Sequence, residues 1–125
     1  MCCIHRMNFK SLLLNLVLYS IFFLSVHFVY RKFRQKQDIM DTVDLINLKG
    51  FSVVGSSRCS WSIRQLADLG VTFDTDKFKV VDCEKDAAIC GTLGIQSFPT
   101  WIGPEGILYP GYKPVQDLKR MIVTV

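Results

Sequence analysis

Four consecutive residues, Cys59-Ser60-Trp61-Ser62, are the part of this 125-residue chain best suited to chemistry. They follow a short apolar run, Phe51 to Val54, and a turn, Gly55-Ser56-Ser57-Arg58. They open a stretch with helical spacing, in which Ile63, Leu66 and Ala67 are expected to share the buried face. A helix amino terminus presents unpaired N–H groups and the positive end of the helix dipole. Both favour a thiolate over a thiol, so a cysteine there is expected to have a lowered pKa. Arg58 next door adds positive charge. Cys59 is therefore a candidate nucleophile. Phe98-Pro99-Thr100 is the second feature. It enters a predicted strand, and a proline there can take the cis form, which exposes the preceding backbone for pairing with an extended peptide.

The chain has five cysteines. Cys83 ends one predicted strand and Cys90 lies in the helix after it, a crossing that can bring their Cα atoms within disulfide range. Three states are open to this pair: a structural disulfide, two buried free thiols, or a resolving partner for Cys59. The disulfide is the expectation adopted. It closes a short loop and so stabilises by at most about 2–3 kcal/mol. Cys2 and Cys3 are either palmitoyl acceptors or free terminal thiols. Other chemistries lack their residues. No Cys/His cluster has zinc spacing, no Gly-rich loop cradles a phosphate, and no His/Asp pair serves hydrolysis. Neither a metal nor a cofactor is expected. Asp82 and Glu84 are read as solvated, and Trp101 as packing beside the sheet.

The elements that must position these residues begin at Asp38. Ile39, Val43 and Ile46 recur at helical spacing, with Asp38 or Asp41 as a cap and Lys49-Gly50 as the end. Strands are expected at 51–54 and 78–82, and a helix from Cys59 or Ser60 to Gly70. A short helix around Asp86–Leu93 closes at Gly94. Thr100–Ile102 and Ile107–Tyr109 flank Gly103-Pro104-Glu105-Gly106 as a hairpin. A last helix runs from Pro114 to about Val123, with Val115, Leu118 and Ile122 as its apolar stripe. The order α, β, α, β, α, β, β, α predicts an α/β domain, a small mixed sheet covered by helices.

Residues 1–37 are different. They carry six basic residues and no acid, whereas 38–125 carry nine basic and eleven acidic residues. The net charge of +4 therefore belongs to one end, which argues against a nucleic-acid-binding domain. Between Lys10 and Arg31 no charge occurs over twenty residues, enough for a helix of about 30 Å, a bilayer's hydrocarbon core. The stretch ends in bulky residues and charge, without a small-x-small cleavage site, so it reads as an uncleaved single-pass anchor over about 11–30. Asn15 and His27 within it read as tolerated polar residues. Residues 31–37 are expected to be a charged link to the domain at 38–125. The lipid bilayer is one expected partner. The basic flank after the span favours a cytosolic domain. A Cys83–Cys90 disulfide favours a lumenal or equivalent oxidising side. The two arguments oppose each other, and the sequence leaves the side open.

Residues 38–125 resemble a thioredoxin-fold domain. The match lies in Gly55–Gln65, in Gly94-Ile95-Gln96-Ser97-Phe98-Pro99-Thr100-Trp101, and in Gly111 followed by an amphipathic helix. Within that family the chain looks most like the thioredoxin-like domain of vitamin K epoxide reductase homologues. These share the short form without the first strand, and cysteines placed like Cys83 and Cys90. The resemblance implies a central mixed sheet with flanking helices. It implies Cys59 as the attacking thiol, Pro99 as a cis-proline, and Trp61, Phe98 and Thr100 as substrate contacts.

The chain departs from the family's Cys-x-x-Cys site in having Ser62 for the second cysteine and Arg58 for the usual tryptophan. A dithiol cycle needs a resolving thiol, which Ser62 cannot be. Two functions follow from the resemblance. One is monothiol disulfide exchange or isomerisation with a protein thiol or disulfide partner. The other is a redox-inactive module that joins neighbouring subunits in a membrane assembly, such as an organelle complex or a virion membrane.

Overall fold

The computed structural model describes residues 8–125; Cys2, Cys3, His5 and Arg6 lie outside the described residues. The first element is one helix, α1, over Phe9–Lys49, 41 residues. The link expected over 31–37 is therefore helical. Arg31-Lys32-Phe33-Arg34-Gln35-Lys36-Gln37 contains no Gly or Pro, and Arg, Lys and Gln are good helix formers. Asp38 and Asp41 cap nothing. Asp38 instead accepts from Gln116 at 3.2 Å, and both aspartates face Lys119, at 3.5 and 3.9 Å. The apolar stretch of α1 is long enough to cross a membrane and is exposed throughout. The chain divides into two units between Gln35 and Lys36.

In the second unit the elements are β1 (Ser52–Gly55), α2 (Ser60–Asp68), β2 (Lys79–Asp82), α3 (Ala87–Thr92), β3 (Thr100–Ile102), β4 (Leu108–Pro110) and α4 (Val115–Thr124), preceded by the last turns of α1. The sheet order is β2-β1-β3-β4. β1 runs parallel to β2, with Val53 opposite Val80, while β3 is antiparallel to both β1 and β4. The parallel pair needs a crossover, and α2 supplies it. The hairpin joining β3 and β4 closes with the Gly103 N–H donating to Ile107 O at 2.9 Å.

Side chains alternate across a strand, so adjacent valines serve opposite faces. Val53 joins a core with Val43 and Ile46 of α1, Leu66 and Leu69 of α2, Trp101 of β3, and Leu118 and Ile122 of α4. Val54 and Val81 join a smaller cluster with Cys90 of α3, against which Cys83, Ile95, Phe98 and Ile102 pack. Trp101 is wholly buried, and its indole N–H donates to the Gln65 amide oxygen at 3.4 Å.

Three helices stop in the same way. After α1, α2 and α3 the chain turns at Gly50, Gly70 and Gly94, with φ of 74°, 68° and 70°. At the second, Gly70 N–H donates to Ala67 O and Val71 N–H to Leu66 O, at 2.9 and 3.0 Å. This is the paired closure of a left-handed helix end. A methyl group at Gly70 would meet nothing within 4 Å, so a substitution there tests backbone strain alone. Gly70→Ala is expected to lower unfolding stability by about 1 kcal/mol, the cost of the left-handed conformation for an L side chain. Urea unfolding followed by circular dichroism measures it; an unchanged midpoint would exclude this account of the helix end.

Candidate functional site

The inner face of α2 differs from the expectation. Ser62, Gln65, Leu66 and Leu69 are buried, whereas Ile63 and Ala67 are exposed. Two of the four inward residues are polar, so hydrophobic spacing alone puts the face one residue out. The reason for Gln65 is distant. Its amide oxygen accepts from Lys113 N–H at 2.7 Å and its amide nitrogen donates to Lys113 O at 2.9 Å. Gln65 thus acts as a short strand for the segment before α4. On the outer face Tyr112 donates its hydroxyl to Asp68. Its ring lies 5.5 Å from that of Trp61, and the Arg64 guanidinium sits about equally over both rings, at 5.6 and 5.5 Å. Trp61 remains half exposed.

Ser62 is wholly buried because β1 comes very close at Gly55. A Cβ placed on Gly55 would lie 2.7 Å from Ser62 Oγ and 2.9 Å from its Cβ. The Ser62 hydroxyl accepts from Ser56 N–H at 3.2 Å. Gly55 is needed here for space, since its φ is not left-handed.

Cys59 is the N-cap of α2, with extended backbone angles of −88° and 119°. Its sulfur is half-buried and is the one free thiol among the described residues. The backbone N–H of Ser62 does most to lower its pKa; burial opposes this, and the N–H of Trp61 and the Ser62 hydroxyl add to the lowering. This is the helix-terminus effect expected from the sequence. Arg58 contributes otherwise: its guanidinium pairs with Glu84 at 3.5 Å. Across from Cys59 lies Phe98, whose carbonyl oxygen is 4.0 Å from the sulfur. The Phe98–Pro99 peptide bond is cis. Pro99 is buried and lines the same small space as Gly55 and Ser62. Thr100 is also buried, with its hydroxyl donated to Ser97 O at 2.7 Å, so its side chain faces the interior. Among the expected contacts, only Trp61 and Phe98 retain exposed side-chain surface.

Cys83 and Cys90 form a disulfide with Cα atoms 5.9 Å apart. The strand end and the helix do cross as the spacing suggested. Neither cysteine is therefore a free resolving thiol. Asp82, read as solvated, is buried. One of its oxygens accepts from Ser57 N–H and Glu84 N–H, each at 3.1 Å, and the other has no protein partner. Burial raises its pKa, but the two N–H groups, the Ser57 side chain and the charge of Lys85 outweigh it and hold the carboxyl below the usual range. Glu84 accepts from the Ser56 hydroxyl at 2.7 Å. No three metal-ligating side chains converge among the described residues.

The chain matches no known protein family and no curated protein sequence.

Two outcomes follow from these environments. Cys59 should be alkylated with a pH midpoint below that of an unperturbed thiol, about 8.5. Ser62→Ala should move it upward only in part, because the backbone N–H groups remain; equal midpoints would exclude the hydroxyl's share. Asp82 has a depressed folded pKa, so its carboxylate stabilises fully above the unfolded value, near 3.9. That contribution is lost as pH falls through the folded pKa. The urea midpoint of wild type should exceed that of Asp82→Asn at pH 6 and converge with it in strong acid.

Proposed function

We propose that the chain is a membrane-anchored, thioredoxin-like protein that exchanges disulfides through a single thiol, Cys59. The observation that carries the reading is the placement of Cys59. It caps a helix whose N–H groups lower its pKa, and it faces the carbonyl of Phe98 at the cis-proline. The element order and the two-faced sheet support a short thioredoxin-like domain. For the anchor, each large apolar side chain of the span left in water forfeits about 1.5–3 kcal/mol. An exposed run of this length is stable in a hydrocarbon surround.

The chemistry is a displacement. The Cys59 thiolate attacks one sulfur of a partner's disulfide. A new sulfur–sulfur bond to Cys59 forms, the partner's bond breaks, and its other sulfur leaves as a thiolate that takes a proton from water. No net oxidation occurs. Release needs a second thiolate, supplied by the partner itself, which isomerises it, or by another thiol in solution. The exposed surface of Trp61, two residues after Cys59, and of Phe98, whose carbonyl faces the sulfur, would meet an extended partner segment. The alternative is a redox-inactive scaffold, favoured by Ser62, which stands where a resolving thiol would be.

Trapping decides between them. Membranes carrying the chain are quenched with acid and alkylating reagent and run without reductant. Wild type should give adducts that disappear on reduction and are absent in Cys59→Ala. If Cys59→Ala gives the same adducts, or wild type gives none while the chain still assembles with its neighbours, the scaffold reading replaces exchange.

A further inference from the structure

The turn that aims Cys59 is held from outside its own strand and helix. Ser56, Ser57 and Arg58 are each gripped by Asp82 or Glu84. Asp82 accepts from Ser57 N–H. Glu84 accepts from the Ser56 hydroxyl with one oxygen and pairs with Arg58 through the other. The same Ser56 hydroxyl oxygen accepts from Arg58 N–H at 3.2 Å, and Ser56 O accepts from Cys59 N–H at 3.0 Å. A continuous path of hydrogen bonds therefore runs from Glu84 through Ser56 to Cys59. The residue between the two acids is itself pinned. Cys83 donates its N–H to Gly55 O at 2.8 Å and is bridged to Cys90. Cys90 packs in the cluster that also holds Phe98, whose carbonyl faces the thiol.

We propose that Asp82 and Glu84 are positioning residues for Cys59: from the end of β2 they fix the turn at Ser56–Arg58, and so set the thiol's orientation against the helix N–H groups and its pH profile. Glu84 also draws the Arg58 guanidinium away to its own carboxylate. Of the other charged groups on the surrounding elements, Lys85 acts on Asp82 through its charge, and Arg64, Asp68 and Lys113 are engaged elsewhere. Arg64 lies over Trp61 and Tyr112, Asp68 accepts from Tyr112, Lys85 pairs with Asp74, and Lys113 donates to Pro110 O. The proposal rests on the reading of Cys59 as a reactive thiol, but it concerns that thiol's setting and needs no partner.

The test is the pH dependence of iodoacetamide alkylation, read on the Cys59 peptide by mass spectrometry. It uses the full chain in detergent micelles with Cys83–Cys90 kept oxidised. Glu84→Ala should move the profile upward and slow alkylation at neutral pH about threefold, by lowering the thiolate fraction, and should do so against Arg58→Ala as well, where loss of Glu84 frees no guanidinium to favour the thiolate. Its thermal unfolding midpoint should stay near wild type, since the Glu84 side chain is 38% exposed. Glu84→Gln keeps an acceptor for Ser56 and should restore most of the rate. Asp82→Asn should shift the profile in the same direction; if it does not fold, the Glu84 pair decides. A Glu84→Ala profile that overlays wild type overturns the proposal. So does a slowing that is uniform across pH and matched by a lower unfolding midpoint. If the profiles shift as stated and no partner is trapped through Cys59, the positioning roles stand and exchange as the function fails.

Discussion

The close approach of β1 to α2 at Gly55 and Ser62 is the contact on which the site depends. There is no room for a Cβ on the strand, and the serine hydroxyl fills the space. This sets how near the first turn of α2 comes to the sheet. It thereby places the N–H groups of Trp61 and Ser62 under the Cys59 sulfur, and Pro99 against the same wall. A strand that stood further off would leave the helix end without a fixed relation to the Phe98 carbonyl. The thiol's environment is thus a packing result before it is an electrostatic one.

The polar groups in this domain bridge elements that hydrophobic packing alone would leave free to slide. Gln65 ties α2 to the segment before α4 through two hydrogen bonds with Lys113, and to β3 through a third from Trp101. Asp82 and Glu84 tie β2 to the turn before α2. Apart from the second Asp82 oxygen, the polar atoms so used are paired, and orphaning one would cost about 1–3 kcal/mol. That cost makes these ties specific: an apolar replacement would fill the volume but would not fix the register of the segments.

Much of this was legible in the residues. The glycines after Lys49, Leu69 and Leu93 marked three helix ends, and the alternation of short β-branched runs with helical spacing gave the element order. The pairing of Cys83 with Cys90 followed from their places on a strand end and the next helix. Three things were not legible, each for a physical reason. A charged stretch such as Arg31–Gln37 is composed of good helix formers, so charge marks where the apolar run stops and says nothing about where the helix stops. The inner face of α2 carries Ser62 and Gln65, whose partners lie at Ser56 and Lys113, and periodicity reads apolar residues only. Asp82 looked solvated, as the exposed Glu84 is, because nothing local shows that the N–H of a turn residue twenty-five positions earlier returns to meet it. The signal that could have found it is an acid at the end of a parallel strand, beside the turn that leaves its neighbour.

Ser62 has a consequence in time. The described residues hold one free thiol, and the remaining pair is bridged. A covalent adduct on Cys59 would therefore have no internal exit from that region of the protein. Its lifetime would be governed by the concentration and reactivity of thiols around it. Under the proposed exchange, the described region would serve less as a turnover catalyst with its own clock than as a clasp whose dwell time reports the reducing power of its surroundings.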